Sequence, residues 1–322
     1  MCSILCRPEG ANLVTAYQPH VDDFEMETRL GTGAFGGVWR AVQTQTGARY
    51  ALKIFDKARV DEADGIEYVV REQKLLALLH EPQVCPFLVQ IHFAFQDQQK
   101  MYMALTLATG GELYQSLQAM PHKRFDTETA RFYIAEIMLA IEWMHSKHVV
   151  HRNLKAENVI LTGEGHVLVT DLSLAKEWDQ GQPDLHSTSM IGTPSYMPPE
   201  VIQEIPHGVG FDFWALGVLL FEMMVGRMPF APMNSEDAHG LFVNILRHAP
   251  RFPGGYGGGF PEGPLDEDEE LLVHGELEPQ LPNDARTLIE GLLAKNPAER
   301  LGSAATGGWA AVKGNPFFSL AV

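Results

Sequence analysis

The sequence predicts an α+β protein built from two unlike lobes, a small antiparallel β-sheet lobe with one helix and a larger, mainly α-helical lobe. Two observations carry this prediction. The first third of the 322-residue chain is rich in strand patterns and the remainder in helical patterns, and the linker-like residues Ala108-Thr109-Gly110-Gly111 lie where the pattern changes. The length suits one large two-lobed domain or two ordinary domains, and a cleft is expected at the linker.

The charge balance argues against one class of function. The chain carries 41 acidic and 24 basic side chains, which gives a formal net charge of −17. General nucleic-acid binding needs a basic face for the phosphates, so we expect no nucleic-acid partner. The acidity suits attraction of a basic peptide or protein, and it suits a merely solvated acidic surface equally well.

The cysteines predict a reducing compartment. Cys2, Cys6 and Cys85 show neither metal-ligand spacing nor an even disulfide framework, so a cytoplasmic, intracellular location is expected, and the nucleus is compatible with it. No apolar run approaches the roughly 18 residues that span a bilayer, so we expect no transmembrane segment. Residues 1–23 are predicted to be a weakly ordered N-terminal extension without a signal peptide, and acylation of its two cysteines is the alternative to a loose tail.

The small lobe is predicted to begin with a glycine-rich hairpin. The stretch Gly31-Thr32-Gly33-Ala34-Phe35-Gly36-Gly37-Val38 leads into an alternating strand over residues 38–42, a Thr46-Gly47 turn and a second strand over residues 49–55. A dinucleotide-binding loop needs a strand that enters a helix, whereas this loop lies in a hairpin, so that interpretation is excluded. By itself, the glycine pattern is equally typical of an ordinary hairpin turn.

A helix and two strands are predicted to complete the small lobe. Residues 62–79 place apolar side chains at helical spacing, and strands follow near residues 87–95 and 100–107. The apolar helix positions are Val69, Val70, Leu75, Leu76 and Leu79.

Two apolar helices dominate the predicted large lobe. Asp126 or Thr127 can cap a long helix that ends at His145, and residues 209–225 predict a buried core helix. The apolar stripe of the first helix consists of Ala130, Ile134, Ile137, Ile141 and Met144. Residues 254–282 are glycine-rich and then acidic, which predicts a solvated insertion loop or a docking segment, and both interpretations stay open.

Short motifs in a fixed order carry a resemblance that covers about residues 24–318. The motifs are the glycine stretch, Ala51-Leu52-Lys53, Glu72, His151-Arg152-Asn153-Leu154-Lys155-Ala156-Glu157-Asn158, Asp171-Leu172-Ser173, Gly192-Thr193-Pro194-Ser195-Tyr196-Met197-Pro198-Pro199-Glu200, Asp212-Phe213-Trp214-Ala215-Leu216-Gly217 and Ala298-Glu299-Arg300-Leu301-Gly302. In this order and spacing they resemble the eukaryotic Ser/Thr protein kinases. The resemblance implies the bilobal protein-kinase fold, with a small lobe over residues 24–106, a large lobe over residues 108–318 and a C-terminal end at residues 319–322.

The resemblance implies transfer of the γ-phosphate of Mg-ATP to a Ser or Thr hydroxyl, with ATP and Mg²⁺ as cofactors. The implied nucleotide-binding residues are Leu30, Gly31, Thr32, Gly33, Ala34, Phe35, Gly36, Val38, Ala51, Lys53, Thr106 and Ala108. The implied catalytic residues are Lys53, Glu72, Asn153 and Lys155, the metal ligands are Asn158 and Asp171, and the structural residues are Arg152, Glu200, Asp212 and Arg300.

Further segments resemble the AGC group of kinases, nearest the cyclic-nucleotide-dependent kinases. They include Pro86-Phe87-Leu88-Val89, Gly110-Gly111-Glu112-Leu113, Arg131-Phe132-Tyr133 and Arg251-Phe252-Pro253. The expected substrate is a protein or peptide with basic residues before the Ser or Thr, because acids matching Glu112, Glu157 and Glu222 contact arginines there in these kinases. Met190 and Met197 are expected to contact an apolar residue that follows the Ser or Thr.

The resemblance also implies regulation by phosphorylation. Ser189 lies where AGC kinases carry their activation phosphate, with Arg152 as one partner and with Ser187 and Thr188 as competing sites. A regulatory subunit and an upstream kinase are therefore further implied partners.

Two positions depart from the family motifs. Asn153 stands where the catalytic Asp is expected, and an amide can orient a hydroxyl but cannot act as a carboxylate base. Ser173 stands where a Gly is expected, and Ser resists a positive φ if the backbone needs one there. The C-terminal tail typical of AGC kinases is also not found before Val322.

Three interpretations of Asn153 stay open. The chain is a slow kinase, or a pseudokinase that acts as an ATP-binding scaffold or regulatory module, or a kinase in which Asn153 was introduced to block activity. A small-molecule phosphotransferase is disfavoured, because the peptide anchors would then have no purpose.

Overall fold

The computed structural model describes residues 19–80, 84–179, 182, 184, 187–232, 234, 237–252 and 281–319. The predicted N-terminal extension with Cys2 and Cys6, the predicted insertion loop and the predicted C-terminal end lie largely outside these residues. Contacts divide the chain into two compact units. Unit 1 comprises Met1–Gly111 and Ile160–Ala175, and unit 2 comprises Glu112–Val159 and Lys176–Val322.

The described residues form both strands and helices. The strands are β1 (Phe24–Gly33), β2 (Gly36–Gln43), β3 (Arg49–Asp56), β4 (Ile91–Gln96), β5 (Lys100–Thr106), β6 (Val149–Val150), β7 (Val159–Leu161), β8 (Val167–Val169) and β9 (Lys176–Glu177). The helices are α1 (Lys57–Glu62), α2 (Ile66–His80), α3 (Leu113–Ala119), α4 (Thr127–Ser146), α5 (Pro199–Ile202), α6 (Gly210–Val225), α7 (Ala238–Arg247), α8 (Asn283–Leu292) and α9 (Gly308–Lys313).

Unit 1 contains a five-stranded antiparallel sheet with the strand order β1-β2-β3-β5-β4. The predicted glycine hairpin is confirmed, since Gly33 pairs with Gly36 where β1 turns into β2. The predicted Thr46-Gly47 turn is confirmed as well, because Gly47 adopts a φ of 72° and donates its N–H to the carbonyl of Gln43. The antiparallel sheet predicted for the first third of the chain is thus present.

Aromatic side chains form the core on one face of this sheet. Phe24 stacks on Phe95 with ring centroids 5.5 Å apart, and Phe95 stacks on Tyr102 at 4.8 Å. The hydroxyl of Tyr102 donates to Asp97 Oδ2 at 2.7 Å, so its polar end is satisfied. These contacts fix β1, β4 and β5 relative to one another.

The helix expected over residues 62–79 is interrupted. A short α1, capped by Asp56, precedes it, and α2 begins only at Ile66. The break falls where Asp64 adopts a φ of 49°, a conformation that a helix does not continue through. Helix α2 buries Val69, Glu72, Leu75, Leu76 and Leu79, which places a carboxylate on its buried face, while the expected stripe residue Val70 is only half-buried.

The strand expected near residues 87–95 is shorter than the pattern suggested. Strand β4 begins only at Ile91, because the preceding residues bond to β8 instead. The N–H of Val89 donates to the carbonyl of Val169, and the N–H of Val169 donates to the carbonyl of Phe87. The apolar pattern therefore predicted extended chain correctly, but the first part of this stretch bonds to β8 and only the second part, β4, pairs with β5.

Unit 2 is mainly helical, which confirms the predicted α+β fold class. Asp126 caps α4 by accepting a hydrogen bond from the Thr129 N–H at 2.8 Å, and the five predicted stripe residues of α4 are all buried. Helix α6 is almost entirely buried and ends at Gly226, which adopts a φ of 83°. Gly217 lets α8 approach α6, since a Cβ there would lie 2.8 Å from Leu292 Cβ.

In the part of the chain that the structure describes, none of the helices is both long and apolar enough to cross a bilayer. Helix α6 is the most apolar of the long helices, and it packs within unit 2. The core-helix prediction for residues 209–225 is therefore confirmed.

Candidate functional site

The glycine turn of unit 1 has an open side and a filled side. A Cβ added at Gly31 or Gly33 would meet no described atom within 4 Å. A Cβ at Gly36 would instead collide with the backbone carbonyl of Ile54 on β3. Packing therefore requires glycine at Gly36 but not at the other two positions, where the open backbone suits the close approach of an anionic ligand. Leu30, Thr32 and Ala34 lie exposed on the same turn.

Phe35 at the tip of the turn packs against Gly65, a contact that the sequence analysis does not predict. A Cβ added at Gly65 would lie 2.6 Å from the Phe35 ring, so only glycine fits beneath this ring. The carbonyl of Phe35 also accepts the N–H of Asp56 at 2.9 Å. The turn is thus fixed to the start of α2. The sequence signal for this contact is a glycine that directly precedes a helix.

Lys53 and Glu72 form an ion pair inside unit 1, with Lys53 Nζ 2.6 Å from Glu72 Oε1. Burial lowers the pKa of Lys53, but Glu72 and Asp171 outweigh burial and the pKa is raised. Burial raises the pKa of Glu72, against the opposing effect of Lys53. The short contact and the second carboxylate beside Lys53 favour a charged pair, because a neutral partner would leave a buried charge uncompensated. Lys53 lies on β3, where its backbone is paired with Val38 of β2 and with Met103 of β5.

Asp171 lies after β8 in unit 1 and adopts a φ of 61°. Its Oδ1 accepts the Ser173 N–H at 3.4 Å, and Leu172 between them is buried. Ser173 is not among the described residues with positive φ, so the strain expected for Ser at this position is absent. The left-handed conformation is carried by Asp171 instead, a residue type that tolerates it.

The other predicted nucleotide-binding residues of unit 1 are half-buried. Val38 and Ala51 lie on the neighbouring strands β2 and β3, and Ala108 follows β5. The Thr106 hydroxyl contacts His92 Nε2 at 3.1 Å.

Asp212 anchors the loop over residues 151–158 in unit 2. Its carboxylate accepts the N–H groups of His151 and Arg152 at 2.8 and 2.9 Å and contacts His145 Nε2 at 2.8 Å. Burial raises the pKa of Asp212, but these hydrogen bonds and the neighbouring imidazoles outweigh burial and hold the pKa below its ordinary value. Arg152 adopts a φ of 62°, so the loop is held in a conformation that needs such anchoring.

Asn153 is 8% exposed and lies at the centre of a hydrogen-bonded cluster in unit 2. Its Oδ1 accepts the Thr193 hydroxyl at 3.1 Å, and its N–H donates to His151 Nδ1 at 3.2 Å. Asn158 Nδ2 donates to the Asn153 carbonyl at 2.7 Å, so the amide oxygen of Asn158 is the end that could ligate a cation. Lys155 lies half-buried in the same loop. Thr193 was not foreseen as a partner of Asn153.

Two of the three acids predicted to bind arginine interact in unit 2. Burial raises the pKa of Glu222 to about 7, and the nearby Glu157 carboxylate adds to this rise. The Tyr196 hydroxyl donates a hydrogen bond to Glu222 Oε2, which opposes the rise. Tyr196 also accepts the Ala156 N–H at 3.4 Å, so it joins α6 to the loop. The third acid, Glu112, is the N-cap residue of α3, which packs against the turn Ala156–Asn158.

The two methionines predicted to contact the substrate are placed differently. Met190 is 47% exposed, whereas Met197 is buried with Val150, Trp178, Val201 and Phe211. Contact of both with one peptide residue stays a prediction.

Glu200 and Arg300 form a buried bidentate ion pair. Arg300 Nη1 donates to Glu200 Oε1 at 2.6 Å and Nη2 donates to Oε2 at 2.8 Å. Arg300 Nη1 also donates to the Gly210 carbonyl at 2.8 Å, at the start of α6. The pair therefore connects the segment after residue 192 with the helix that carries Asp212.

Comparison with known proteins finds relatives over most of the chain. The protein kinase domain family matches residues 24–318. Protein kinase 3 of Dictyostelium discoideum is 33% identical over 307 residues, which are 93% of this chain and 30% of that protein. The cAMP-dependent protein kinase catalytic subunit of Dictyostelium discoideum is 36% identical over 234 residues, 73% of this chain and 34% of that protein. Protein kinase C eta type of Homo sapiens is 34% identical over 298 residues, 92% of this chain and 38% of that protein. The chain thus spans about a third of the length of these relatives.

Proposed function

This chain belongs to the protein kinase family, with relatives that are serine/threonine kinases of the AGC type, and from that premise we propose that it phosphorylates Ser or Thr in basic peptide sequences. The single observation that supports the proposal most is the Lys53–Glu72 ion pair at 2.6 Å with Asp171 acting on the same ammonium. A lysine held by one carboxylate beside a second carboxylate suits Mg-ATP, because the cation and the phosphates need opposite charges close together.

The residues present fit the nucleotide and the metal. The open sides of Gly31 and Gly33 allow phosphates to approach the backbone N–H groups, and Lys53 binds phosphate oxygens. Asp171 in unit 1 and Asn158 in unit 2 each offer an oxygen atom of the kind that Mg²⁺ prefers, and the family motifs make both residues the proposed metal ligands. When bound, Mg²⁺ supplies positive charge that offsets the charge on the transferring phosphoryl group.

In the proposed reaction, the substrate hydroxyl oxygen forms a bond to the γ-phosphorus, and the bond between the γ-phosphorus and the bridging oxygen of ADP breaks. Lys155 stabilises the transferring group, and Asn153 Oδ1, which the Thr193 hydroxyl holds in place, accepts a hydrogen bond from the attacking hydroxyl. The amide does not take the proton, so the proton leaves to a phosphate oxygen or to water. Such a base-free site is expected to be slow rather than inactive, because positioning and charge dominate phosphoryl transfer.

Asn153 is also the observation that favours a second function. A pseudokinase would bind Mg-ATP with the same residues of unit 1 and would act as a scaffold or regulatory module without transferring phosphate. The buried free thiol of Cys85 suits a reducing compartment, and we propose the cytoplasm. An upstream kinase or a regulatory subunit is a proposed partner of either form.

Incubating the chain with labelled Mg-ATP and an arginine-rich serine peptide is expected to label the peptide. Lys53→Ala is expected to abolish labelling, while Lys74→Ala, at an exposed lysine of unit 1, is expected to leave labelling unchanged. A thermal-shift measurement tests binding separately, since a ligand present at about 100 times its Kd stabilises the fold by roughly 2.7 kcal/mol. A shift without labelling supports the pseudokinase, and the absence of any shift at millimolar Mg-ATP would refute the nucleotide site.

The affinity for the substrate is expected to decrease as the pH is lowered, because Glu222 has a pKa of about 7. Below this pH the carboxyl group is protonated and loses its attraction for a substrate arginine. Between pH 8 and pH 6, KM for the arginine peptide should therefore rise by about 3- to 10-fold, as expected for one group that titrates in this range. Steady-state KM values across pH measure this rise.

Glu222→Gln is expected to raise KM at pH 8 and to flatten its dependence on pH. Glu164→Gln, at an exposed acid, serves as the matched control. A peptide with citrulline in place of arginine should show no such dependence. If the citrulline peptide shows the same pH profile, Glu222 does not bind the arginine.

A further inference from the structure

Trp309 on α9 lies outside the family motifs, and its indole N–H donates a hydrogen bond to His145 Nδ1 at 3.3 Å. The two rings are in contact, with centroids 5.5 Å apart, and Phe213 packs against both of them. His145 is buried in the last turn of α4, and its other ring nitrogen, Nε2, lies 2.8 Å from Asp212 Oδ2. Two hydrogen bonds in series therefore join α9 to the carboxylate that anchors the loop over residues 151–158.

The indole determines which nitrogen of His145 carries the proton. An indole N–H can donate a hydrogen bond but cannot accept one, so Nδ1 must accept with its lone pair. The ring proton therefore lies on Nε2, from which it is donated to Asp212. Without the indole donor, Nδ1 would be free to take a proton or the ring to turn, and Nε2–H would no longer be held toward Asp212.

The Asp212 carboxylate depends on this donor because it is shared among three groups. Its Oδ2 accepts both His145 Nε2–H and the His151 N–H, and its Oδ1 accepts the Arg152 N–H. Burial raises the pKa of Asp212, and the hydrogen bond from His145 is the largest of the effects that outweigh burial. A turn of the imidazole would let Oδ2 move away from the His151 N–H. The orientation of His145 therefore controls the backbone of the loop that contains Asn153.

The chain around Trp309 is shaped to present the indole. Gly307 and Gly308 directly before it adopt φ values of 99° and 60°, which glycine adopts without strain. Lys313, one turn after Trp309, pairs with Glu142 of α4 at 2.6 Å and so ties α9 to the helix that carries the imidazole. Packing alone would require only the aromatic ring at this position. The N–H that points at Nδ1 is a second property, which can be removed without removing the ring.

We propose that Trp309 is a positioning residue for phosphoryl transfer, which acts through His145 and Asp212 on the loop that carries Asn153. Its N–H holds the imidazole in the orientation that keeps Nε2–H on Asp212, and Asp212 in turn holds the backbone N–H groups of the loop. The effect on rate rests on the proposed function. The effect on the loop does not, because the hydrogen bonds require no phosphoryl transfer by this chain.

The test makes two changes at Trp309 in the full chain. Trp309→Phe keeps an aromatic ring and deletes the N–H. Benzothienylalanine, installed at position 309 during translation, keeps the shape of the indole and replaces its N–H by sulfur. Trp143→Phe, at a half-buried tryptophan of α4, is the matched control. The nitrogen-15 NMR signal of His145 Nδ1 is expected to shift in both Trp309 variants and to stay in place in the control.

Amide hydrogen exchange measures how firmly Asp212 holds the loop. In both Trp309 variants, the exchange protection of the His151 and Arg152 amides is expected to fall by about 2- to 10-fold, as for the loss of one hydrogen bond. The amides in the buried middle of α6 are the internal reference for global unfolding, and their protection should fall less. For the arginine peptide, kcat should fall by a similar factor with KM unchanged. Trp143→Phe should change neither the ratio of the two protections nor kcat.

A benzothienylalanine variant that matches the parent chain in exchange would overturn the proposal, because the shape of the ring would then be sufficient. Equal losses of protection in the loop and in α6 would overturn it as well, since Trp309 would then act only through global stability. If Trp309→Phe does not fold, the benzothienylalanine variant decides alone. Exchange does not depend on phosphoryl transfer, so failure here leaves the kinase proposal standing. A loop that responds as expected in a chain that labels no peptide would count against the kinase proposal alone.

Discussion

Asn153→Asp is expected to raise kcat for peptide phosphorylation by about 10²- to 10⁴-fold. The carboxylate would accept the proton of the attacking hydroxyl, which the amide cannot do, and the change corresponds to roughly 3–5 kcal/mol of activation barrier. Single-turnover labelling at saturating Mg-ATP measures the chemical step directly, and the same preparations give the thermal shift with Mg-ATP.

The surroundings of Asn153 are already suited to a carboxylate. The Thr193 hydroxyl and the Asn153 N–H make hydrogen bonds that an aspartate would keep, because its oxygen accepts as well as the amide oxygen does. The loop itself is held by Asp212 through backbone N–H groups, which the substitution leaves untouched. We therefore expect the gain to appear in kcat, with little change in KM or in the thermal midpoint.

Asn296→Asp is the matched control, since it makes the same chemical change at an exposed asparagine of unit 2. It should leave kcat unchanged. If Asn153→Asp binds Mg-ATP but still transfers no phosphate, Asn153 is not what limits activity. Ser173→Gly then becomes the next substitution, although Ser173 shows no positive φ that would require glycine.

Local signals in the sequence were sufficient for much of the fold. Asp126 predicted the start of α4, and the apolar spacing of that helix predicted its buried face, because both depend on residues within a few turns. The start of α2 was missed because its limit is set by tertiary structure. The ring of Phe35 occupies the space above Gly65, and a contact across 30 residues leaves no periodicity to detect.

The candidate site likewise combines residues that the sequence predicts with contacts that it does not predict. The order of the motifs predicts a functional role for four residues, and these roles stay predictions: Lys53, Glu72, Asn153 and Asp171. Contacts between distant residues are not predicted in this way: Thr193 reaches Asn153 across 40 residues, and Tyr196 reaches Glu222 across 26.

Breaking the ion pair between Glu200 and Arg300 is expected to cost the most stability. Arg300→Ala should lower the free energy of unfolding by about 3–5 kcal/mol, because it leaves the buried Glu200 carboxylate without its partner. The carbonyls of Gly210 and Ala294 lose a donor at the same time. Urea unfolding followed by fluorescence measures the loss.

The loss of unfolding free energy should arise because the pair is buried, and not merely because a charge is removed. Arg286→Ala breaks an exposed pair with Glu290 on α8, where both side chains are about half exposed, and solvent screening limits its cost to about 0–0.5 kcal/mol. Replacing Glu200 and Arg300 together by Gln and Met should cost less than Arg300→Ala alone, since no unpaired buried charge then remains. Equal losses for Arg300→Ala and Arg286→Ala would contradict a stabilising role for the buried pair. Arg300 also holds the start of α6, and α6 carries Asp212. The buried pair thus connects the anchor of the loop around Asn153 with residues far from it in sequence.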